Sequence, residues 1–116
     1  MWMALYEYGA DVVINGGAHI YERFAPMRYE GSYEYPDPLG LQYRADSAHG
    51  IRQFTSGLGG DGPTTTPAMK VVHPLSEYRS GGNGFLQLTL GDGEYGWEFL
   101  NTRWSRIDDR GRGVCH

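Results

Sequence analysis

The sequence predicts an α+β domain that is mainly β, with one N-terminal helix and about five strands. Two observations carry this prediction. Glycine makes up 18 of the 116 residues, about twice its usual share, and apolar residues alternate with polar ones near the C-terminus. Abundant glycine favours turns over long helices, and alternation is typical of half-buried strands. The chain has the length of one domain, so we expect residues 1–116 to form a single unit.

The N-terminal residues predict a short helix followed by a strand. Trp2, Leu5 and Tyr6 recur at helical spacing, and Gly9 follows them as a residue that commonly ends helices. Residues 11–15 contain Val-Val-Ile, a β-branched run too uniformly apolar for a strand with one face in water. We therefore expect a strand that is buried on both faces.

The middle of the chain predicts two short strands separated by irregular segments. Residues 20–26 and 50–55 carry strand-forming side chains. The tract 29–44 holds two prolines and four tyrosines and predicts a loop. Its rings either stack on sugars or aryl groups, or pack over a sheet. Residues 57–84 are rich in Gly, Pro and Thr and predict a long insertion within the domain.

A β-hairpin is the sharpest local prediction. Two runs of alternating apolar residues flank Asp92-Gly93, a dipeptide typical of a two-residue type I′ turn. A one-residue slip would move every apolar side chain to the other face, so the pattern fixes the register. We expect the pairs Leu86–Phe99, Leu88–Trp97 and Leu90–Tyr95, with all six side chains on one face.

Charge and composition exclude several classes of protein. Ten Lys and Arg residues against fourteen Asp and Glu give a net charge of -4 and a pI near 5.4, which disfavours nucleic-acid binding. There is no apolar run of the ~18 residues that a membrane span needs, and residues 1–9 do not resemble a signal peptide. The single cysteine excludes an internal disulfide and a cysteine-based zinc site.

Histidines and C-terminal arginines are the side chains that suggest a site. His19 follows the first strand, where α/β sheets place ligands, and is either a metal ligand or a hydrogen-bonded loop residue. Asp46, His49, His73 and His116 either join it in a transition-metal site or are unrelated to it. The four arginines after Leu100 either attract phosphate or belong to a solvated tail.

A resemblance to a known family covers nearly the whole chain. Residues 9–16, followed by Gly17-Ala-His-Ile-Tyr-Glu-Arg-Phe24, resemble the last metal-binding motif of the calcineurin-like metallophosphoesterases, in particular the purple-acid-phosphatase-like branch. Further blocks agree in order and spacing, at residues 50–54, 57–60, 76–79, 86–90, 95–99 and 113–116. The resemblance implies that the chain is the C-terminal part of an αββα metallophosphoesterase sandwich.

The resemblance also implies hydrolysis of a phosphoester substrate by a metal-activated hydroxide. It implies that His19 ligates a divalent or trivalent ion, either Fe, Zn or Mn, although a chain without metal is an equal expectation. Glu22 and Arg23 either orient this site or form an ion pair that braces a strand. The first His of the family's Gly-His-x-His falls on Gly17, and Asp-x-His and Gly-Asn-His are absent from the sequence, so the implied metal site is incomplete.

One further match to a family motif has a simpler interpretation. Residues 91–95 read Gly-Asp-x-x-Tyr, which in the family supplies a bridging Asp and a Tyr ligand. They coincide here with the predicted hairpin turn, so we interpret them as turn residues.

The alternative function is a non-catalytic binding or self-assembly module derived from a truncated phosphatase, with Tyr-rich loops that contact carbohydrate or a protein partner. The missing family strands would leave the strand at Val12–Ile14 with a bare edge, and such edges recruit other chains. We therefore expect a homo-oligomer formed through this edge. The resembled family is often exported, whereas this chain carries no recognisable signal peptide.

Overall fold

The computed structural model describes residues 1–31, 42–60 and 72–116. Within them lie one short helix and nine strands in three sheets, which confirms the prediction of a mainly β domain. The nine strands exceed the five or so that we expected, because segments predicted to be loop or tail form strands. The elements are α1 Trp2–Glu7, β1 Val12–Asn15, β2 Tyr21–Phe24, β3 Met27–Tyr29, β4 Tyr43–Ala45, β5 Arg52–Ser56, β6 Ser76–Ser80, β7 Gly84–Leu90, β8 Glu94–Asn101 and β9 Arg106–Val114.

The predicted N-terminal helix is confirmed. It ends where Gly9 adopts a φ of +71°, a left-handed conformation that glycine enters without steric cost. The helix packs near the two-stranded sheet formed by β3 and β4. Trp2 meets the ring of Tyr43 edge-on at 5.2 Å, and the Tyr6 hydroxyl donates to Asp46 at 2.8 Å.

A four-stranded mixed sheet has the strand order β1-β5-β2-β6. β1 runs parallel to β5, and β2 runs antiparallel to both β5 and β6. β6 lies inside the predicted insertion at 57–84, while residues 61–71 of that insertion are outside the described residues. β3 and β4 overlap the two ends of the predicted loop at 29–44, and residues 32–41 are outside the described residues.

The prediction that β1 is buried on both faces is wrong. Within the described chain β1 pairs only with β5 and forms one edge of the sheet. Val12 and Val13 are half-buried, and Ile14 is 52% exposed. A uniformly apolar run describes what a strand can bury, but its burial depends on neighbouring strands, and β1 has one such neighbour here.

The C-terminal hairpin has the predicted register. Leu86 pairs with Phe99, Leu88 with Trp97 and Leu90 with Tyr95, which confirms all three predicted pairs. The rings of β8 are buried and Leu86 and Leu88 pack against them, but Leu90, at the end of the strand, is 76% exposed. The turn is not type I′, because Gly93 has a φ of +73° whereas Asp92 does not share the positive φ which that turn requires.

The region after Leu100 is a strand rather than a solvated tail. β9 pairs along β8 and completes a three-stranded antiparallel sheet, in the order β7-β8-β9. Gly111 lies opposite Trp97 and Gly113 opposite Tyr95. A Cβ atom on either glycine would overlap the facing aromatic ring, so these two glycines make room for the rings to lie across β9.

The core lies between the four-stranded and the three-stranded sheets. Tyr21 of β2 stacks on Phe99 of β8 with ring centroids 4.0 Å apart, and Phe54 of β5 meets Trp97 edge-on at 5.5 Å. Leu58 and Tyr95 complete the buried cluster. The two sheets therefore form a small sandwich that is held together by aromatic side chains.

Candidate functional site

The loop after β1 holds His19, the candidate metal ligand. β1 and β5 are parallel, so their carboxyl ends meet at one edge of the sheet, where Thr55 donates to the Asn15 side chain at 3.0 Å. The loop lies so close to the segment after β5 that a Cβ on Gly57 would overlap the carbonyl of Ala18. His19 itself is half-buried. Its position at the carboxyl end of a parallel strand pair is where open α/β sheets bind ligands.

Gly17 occupies the position of the first histidine in the Gly-His-x-His motif of the resembled family. Its backbone conformation is one that favours glycine. Its φ of +101° lies in a region that L-residues rarely adopt, although a Cβ there would meet nothing within 4 Å. Gly16, in contrast, has no positive φ. The loop therefore follows a path that disfavours a histidine at position 17 for reasons of conformation rather than of space.

Glu22 lies in a polar row that crosses the four-stranded sheet. In register from edge to edge, Asn15, Thr55, Glu22 and Arg79 are neighbours. Glu22 and Thr55 are each 7% exposed. Glu22 Oε1 lies 3.1 Å from Arg79 Nε without hydrogen-bond geometry, so the attraction is mainly Coulombic. The row connects Glu22 to the strand that leads into the His19 loop.

Arg23 points to the opposite face of β2 and into the sandwich. Its Nε donates to Asp109 Oδ2 at 2.8 Å and its Nη2 to Asp109 Oδ1 at 3.1 Å, a bidentate pair between the two sheets. It also contacts Glu77, which accepts a second bond at 2.7 Å from Arg52. Glu22 and Arg23 thus do not pair with each other, because adjacent side chains of a strand point in opposite directions.

Asp109 is the centre of this buried network. It also accepts hydrogen bonds from the Tyr21 hydroxyl at 2.8 Å and from Trp97 Nε1 at 3.2 Å. Burial favours a raised pKa for the Asp109 carboxyl, but hydrogen bonds from Arg23 and Tyr21 outweigh it and hold that pKa below its ordinary value. Burial, followed by the bond to this carboxylate, raises the pKa of Tyr21. These groups hold the two sheets together with their charges fixed.

The sequence did not suggest Asp109 as an important residue. A signal was present in the alternation of Asp109, Gly111 and Gly113, which places a small or acidic residue opposite each ring of β8. This signal can be read only once β9 is known to pair with β8 as the third strand of the sheet. From sequence, the region after Leu100 was expected either to attract phosphate or to form a solvated tail.

The other histidines lie in different parts of the fold. His49 meets the ring of His116 at 5.6 Å, and His116 Nδ1 lies 2.8 Å from Asp11. His73 lies beside Phe24, with ring centroids 5.4 Å apart, and accepts a hydrogen bond from the backbone of Leu75. Among residues 1–31, 42–60 and 72–116 there is no group of three His, Cys, Asp or Glu side chains that could hold a metal ion.

The remaining predicted features have mixed outcomes. Gly91 and Glu94 close the hairpin turn through a backbone hydrogen bond of 2.8 Å, as expected for turn residues. In the Tyr-rich tract, the rings of Tyr29 and Tyr43 pack together with their centroids 5.0 Å apart. Tyr33 and Tyr35 lie outside the described residues.

The sequence matches no protein-family model. No curated protein matches it significantly. In the described part of the chain no helix is long and apolar enough to cross a membrane.

Proposed function

We propose that the chain is the C-terminal part of an αββα metallophosphoesterase fold and that His19 contributes to phosphoester hydrolysis as one metal ligand. The observation that carries this proposal is that a candidate metal ligand and an unpaired strand edge belong to the same strand and the loop that follows it. His19 follows the carboxyl end of β1, and β1 has an unpaired outer edge in the described part of the chain. A polypeptide that supplied the next strand would bring its own side chains close to this loop.

The described residues do not fit a complete metal site. One imidazole at His19 falls short of the three or four ligands that a stable site takes. An Fe, Zn or Mn ion held there would act as a Lewis acid on a phosphoester. The contribution of the chain's own residues is to hold His19 in the loop after the carboxyl end of β1 and to hold Glu22 in the polar row that reaches Asn15 of that strand. Arg23 is engaged with Asp109 and is not directed towards the loop.

The test is metal binding by purified chain that has been stripped with a chelator. Zn²⁺ and Mn²⁺ are titrated into the wild type, His19→Ala and His49→Ala, and hydrolysis of an aryl phosphate is followed in parallel. We expect weak binding that His19→Ala abolishes and His49→Ala retains, because the site needs the imidazole after β1. Binding that survives His19→Ala unchanged, or no binding by the wild type, would overturn the proposal.

A second candidate function, self-assembly, is favoured by the geometry of the β1 edge. Arg52 N donates to the Asp11 carbonyl at 2.9 Å, so the backbone groups of Asp11 point towards β5. The backbone N–H and C=O groups of successive residues in a strand point to alternate sides. Those of Val12 and Ile14 therefore point away from β5. Two copies could pair antiparallel about a two-fold axis at Val13, with Val12 opposite Ile14 of the second copy.

This arrangement makes the two candidate functions separable. Antiparallel pairing places the His19 loops of the two copies at opposite ends of the joined strands. Such a dimer would not pool its histidines in one site, so edge pairing favours an assembly role over a shared catalytic centre.

Sedimentation equilibrium at high micromolar concentration tests self-assembly. We expect a homo-oligomer that Ile14→Lys dissociates, since a charge on an edge strand opposes strand addition. Phe85→Lys is the matched control, because Phe85 is similarly exposed, at 48%, but lies on the outer face of β7. A wild-type chain that sediments as a clean monomer would remove this candidate.

A further inference from the structure

The outer face of the three-stranded sheet contains a depression that neither candidate function uses. Gly96 lies at its centre, between Thr89 of β7 and Arg112 of β9 in register, and the next row places Glu98 beside Arg110. The depression has a volume of about 510 Å³, is bordered by these four residues and has Gly96 on its floor. The cavity lies on the opposite side of the sheet from the buried rings of β8.

Gly96 differs from the other glycines of this sheet in lacking a structural reason. Gly111 and Gly113 make room for aromatic rings. A Cβ on Gly96 would meet only ordinary contacts, the Gly111 carbonyl at 3.6 Å and Thr89 Cβ at 4.0 Å, and its φ is not positive. Glycine inside a central strand weakens the sheet and often marks close approach of a ligand or another backbone.

The arginines beside this depression are also distinct from the others. Six arginines of the described chain pair with carboxylates, and Arg103 lies over the Trp104 ring at 4.8 Å. The guanidinium groups of Arg110 and Arg112 have no hydrogen bond or ion pair within that same part of the molecule, and both are exposed. They are two residues apart on one face of β9, about 6.6 Å along the strand, so two long side chains can converge on one anion.

We propose that this depression binds the phosphate group of a small phosphorylated molecule or free inorganic phosphate. Arg110 and Arg112 would donate charge-assisted hydrogen bonds to the phosphate oxygens, and the Thr89 hydroxyl would donate a further one from across Gly96. Glu98 limits the local positive charge and is an acceptor for hydroxyl groups. A single dianion suits two guanidinium groups, whereas an extended polyanion would need a longer basic stripe, which the net charge of -4 argues against.

The experiment is a calorimetric titration at low salt with inorganic phosphate, glucose 6-phosphate and a short single-stranded DNA. We expect saturable binding of one or both phosphate ligands, and the tighter of the two identifies the source of the phosphate. Arg112→Gln and Arg110→Gln should each weaken binding about fivefold to tenfold, the modest loss of an exposed charged hydrogen bond. Arg106→Gln, an exposed arginine on the same strand that pairs with Asp108, should change it less than about twofold.

Two further variants separate the depression from general electrostatics. Gly96→Val fills the floor without a change of charge and fits the strand, so it should abolish binding while the protein stays folded. Glu98→Gln should strengthen binding about twofold to fivefold by removing a nearby negative charge. Absence of saturable phosphate binding, unchanged binding in Gly96→Val, or tighter binding of DNA than of either phosphate ligand would each overturn the inference. The inference does not rest on His19 or on the metallophosphoesterase proposal.

Discussion

Each sheet of the sandwich has two edge strands, and the two sheets differ in how far apart along the chain their paired strands lie. In the three-stranded sheet, β8 lies between two antiparallel neighbours and its inward residues are buried along its whole length. In the four-stranded sheet, β1 has one parallel neighbour and leaves Ile14 half in solvent. The C-terminal sheet is formed by local contacts along the chain, whereas the N-terminal sheet joins distant segments and ends in an apolar edge. The apolar edge strand β1 and the loop that carries His19 both belong to the N-terminal sheet.

We expect the largest effect on stability from a substitution that breaks the network joining the two sheets. Asp109→Ala leaves Arg23 in the sandwich without its bidentate partner and removes the acceptor of Tyr21. We expect a loss of about 3–5 kcal/mol in the free energy of unfolding, measured by urea denaturation, because Arg23 keeps only its contact with Glu77 while the buried donors of Tyr21 and Trp97 lose their acceptor. Asp92→Ala, in the exposed hairpin turn, is the control and should change stability by less than about 0.5 kcal/mol. Equal effects of the two substitutions would contradict a joining role for Asp109.

The same network predicts a direction of pH dependence. The folded pKa of Asp109 lies below its unfolded value, so the carboxylate stabilises the fold above the unfolded pKa, and this contribution is lost as pH falls through the folded pKa. The stability difference between wild type and Asp109→Asn should therefore be full at neutral pH and shrink below about pH 4. Urea midpoints measured across this acid range check the trend, and a difference that grows in acid would contradict it.

We expect smaller changes in stability from substitutions of two glycines in the C-terminal sheet. Gly111→Ala pushes a methyl group into the Trp97 ring and should cost about 1–3 kcal/mol by overpacking. Gly96→Ala meets no such obstacle and should raise stability by about 0.5–1 kcal/mol, because alanine loses less backbone freedom on folding. Thermal denaturation of the pair measures both signs. If Gly96→Ala were the more destabilising, the depression would have a structural reason for its glycine.

A comparable pair in the N-terminal sheet tests the loop that carries His19. Gly17→His forces a β-carbon into a left-handed backbone and should cost about 1–2 kcal/mol. Gly16→His places the same side chain one residue earlier, where φ is not positive, and should cost less. Equal losses in chemical denaturation would show that the conformation of Gly17 is not what distinguishes it.

The sequence predicted most where contacts are local. Alternation along residues 86–99 fixed the hairpin register, because a slip of one residue would expose the rings of Tyr95, Trp97 and Phe99. The turn type was wrong, because Asp92 does not adopt the positive φ that a type I′ turn requires. Pairing of β1 with β5, which are 40 residues apart, leaves no local pattern, and neither does the placement of β6 beside β2.

The candidate site was predictable only in part for the same reason. His19 could be placed after the first strand from sequence alone. The partners of Glu22 and Arg23 could not, because Arg79 and Asp109 reach them from strands far along the chain. Asp109 lies in a segment whose charges resemble those of a solvated tail until β9 is paired with β8.

Native mass spectrometry of the metal-loaded chain tests the central claim most directly, namely that the described residues of one copy supply too few ligands for a dinuclear centre. The wild type is exchanged into Zn²⁺ or Mn²⁺, and ions per monomer are counted together with hydrolysis of an aryl phosphate. We expect no more than one weakly held ion per monomer, lost in His19→Ala, and no turnover by isolated monomer. Two retained ions on a single copy that hydrolyses the ester rapidly would contradict the claim.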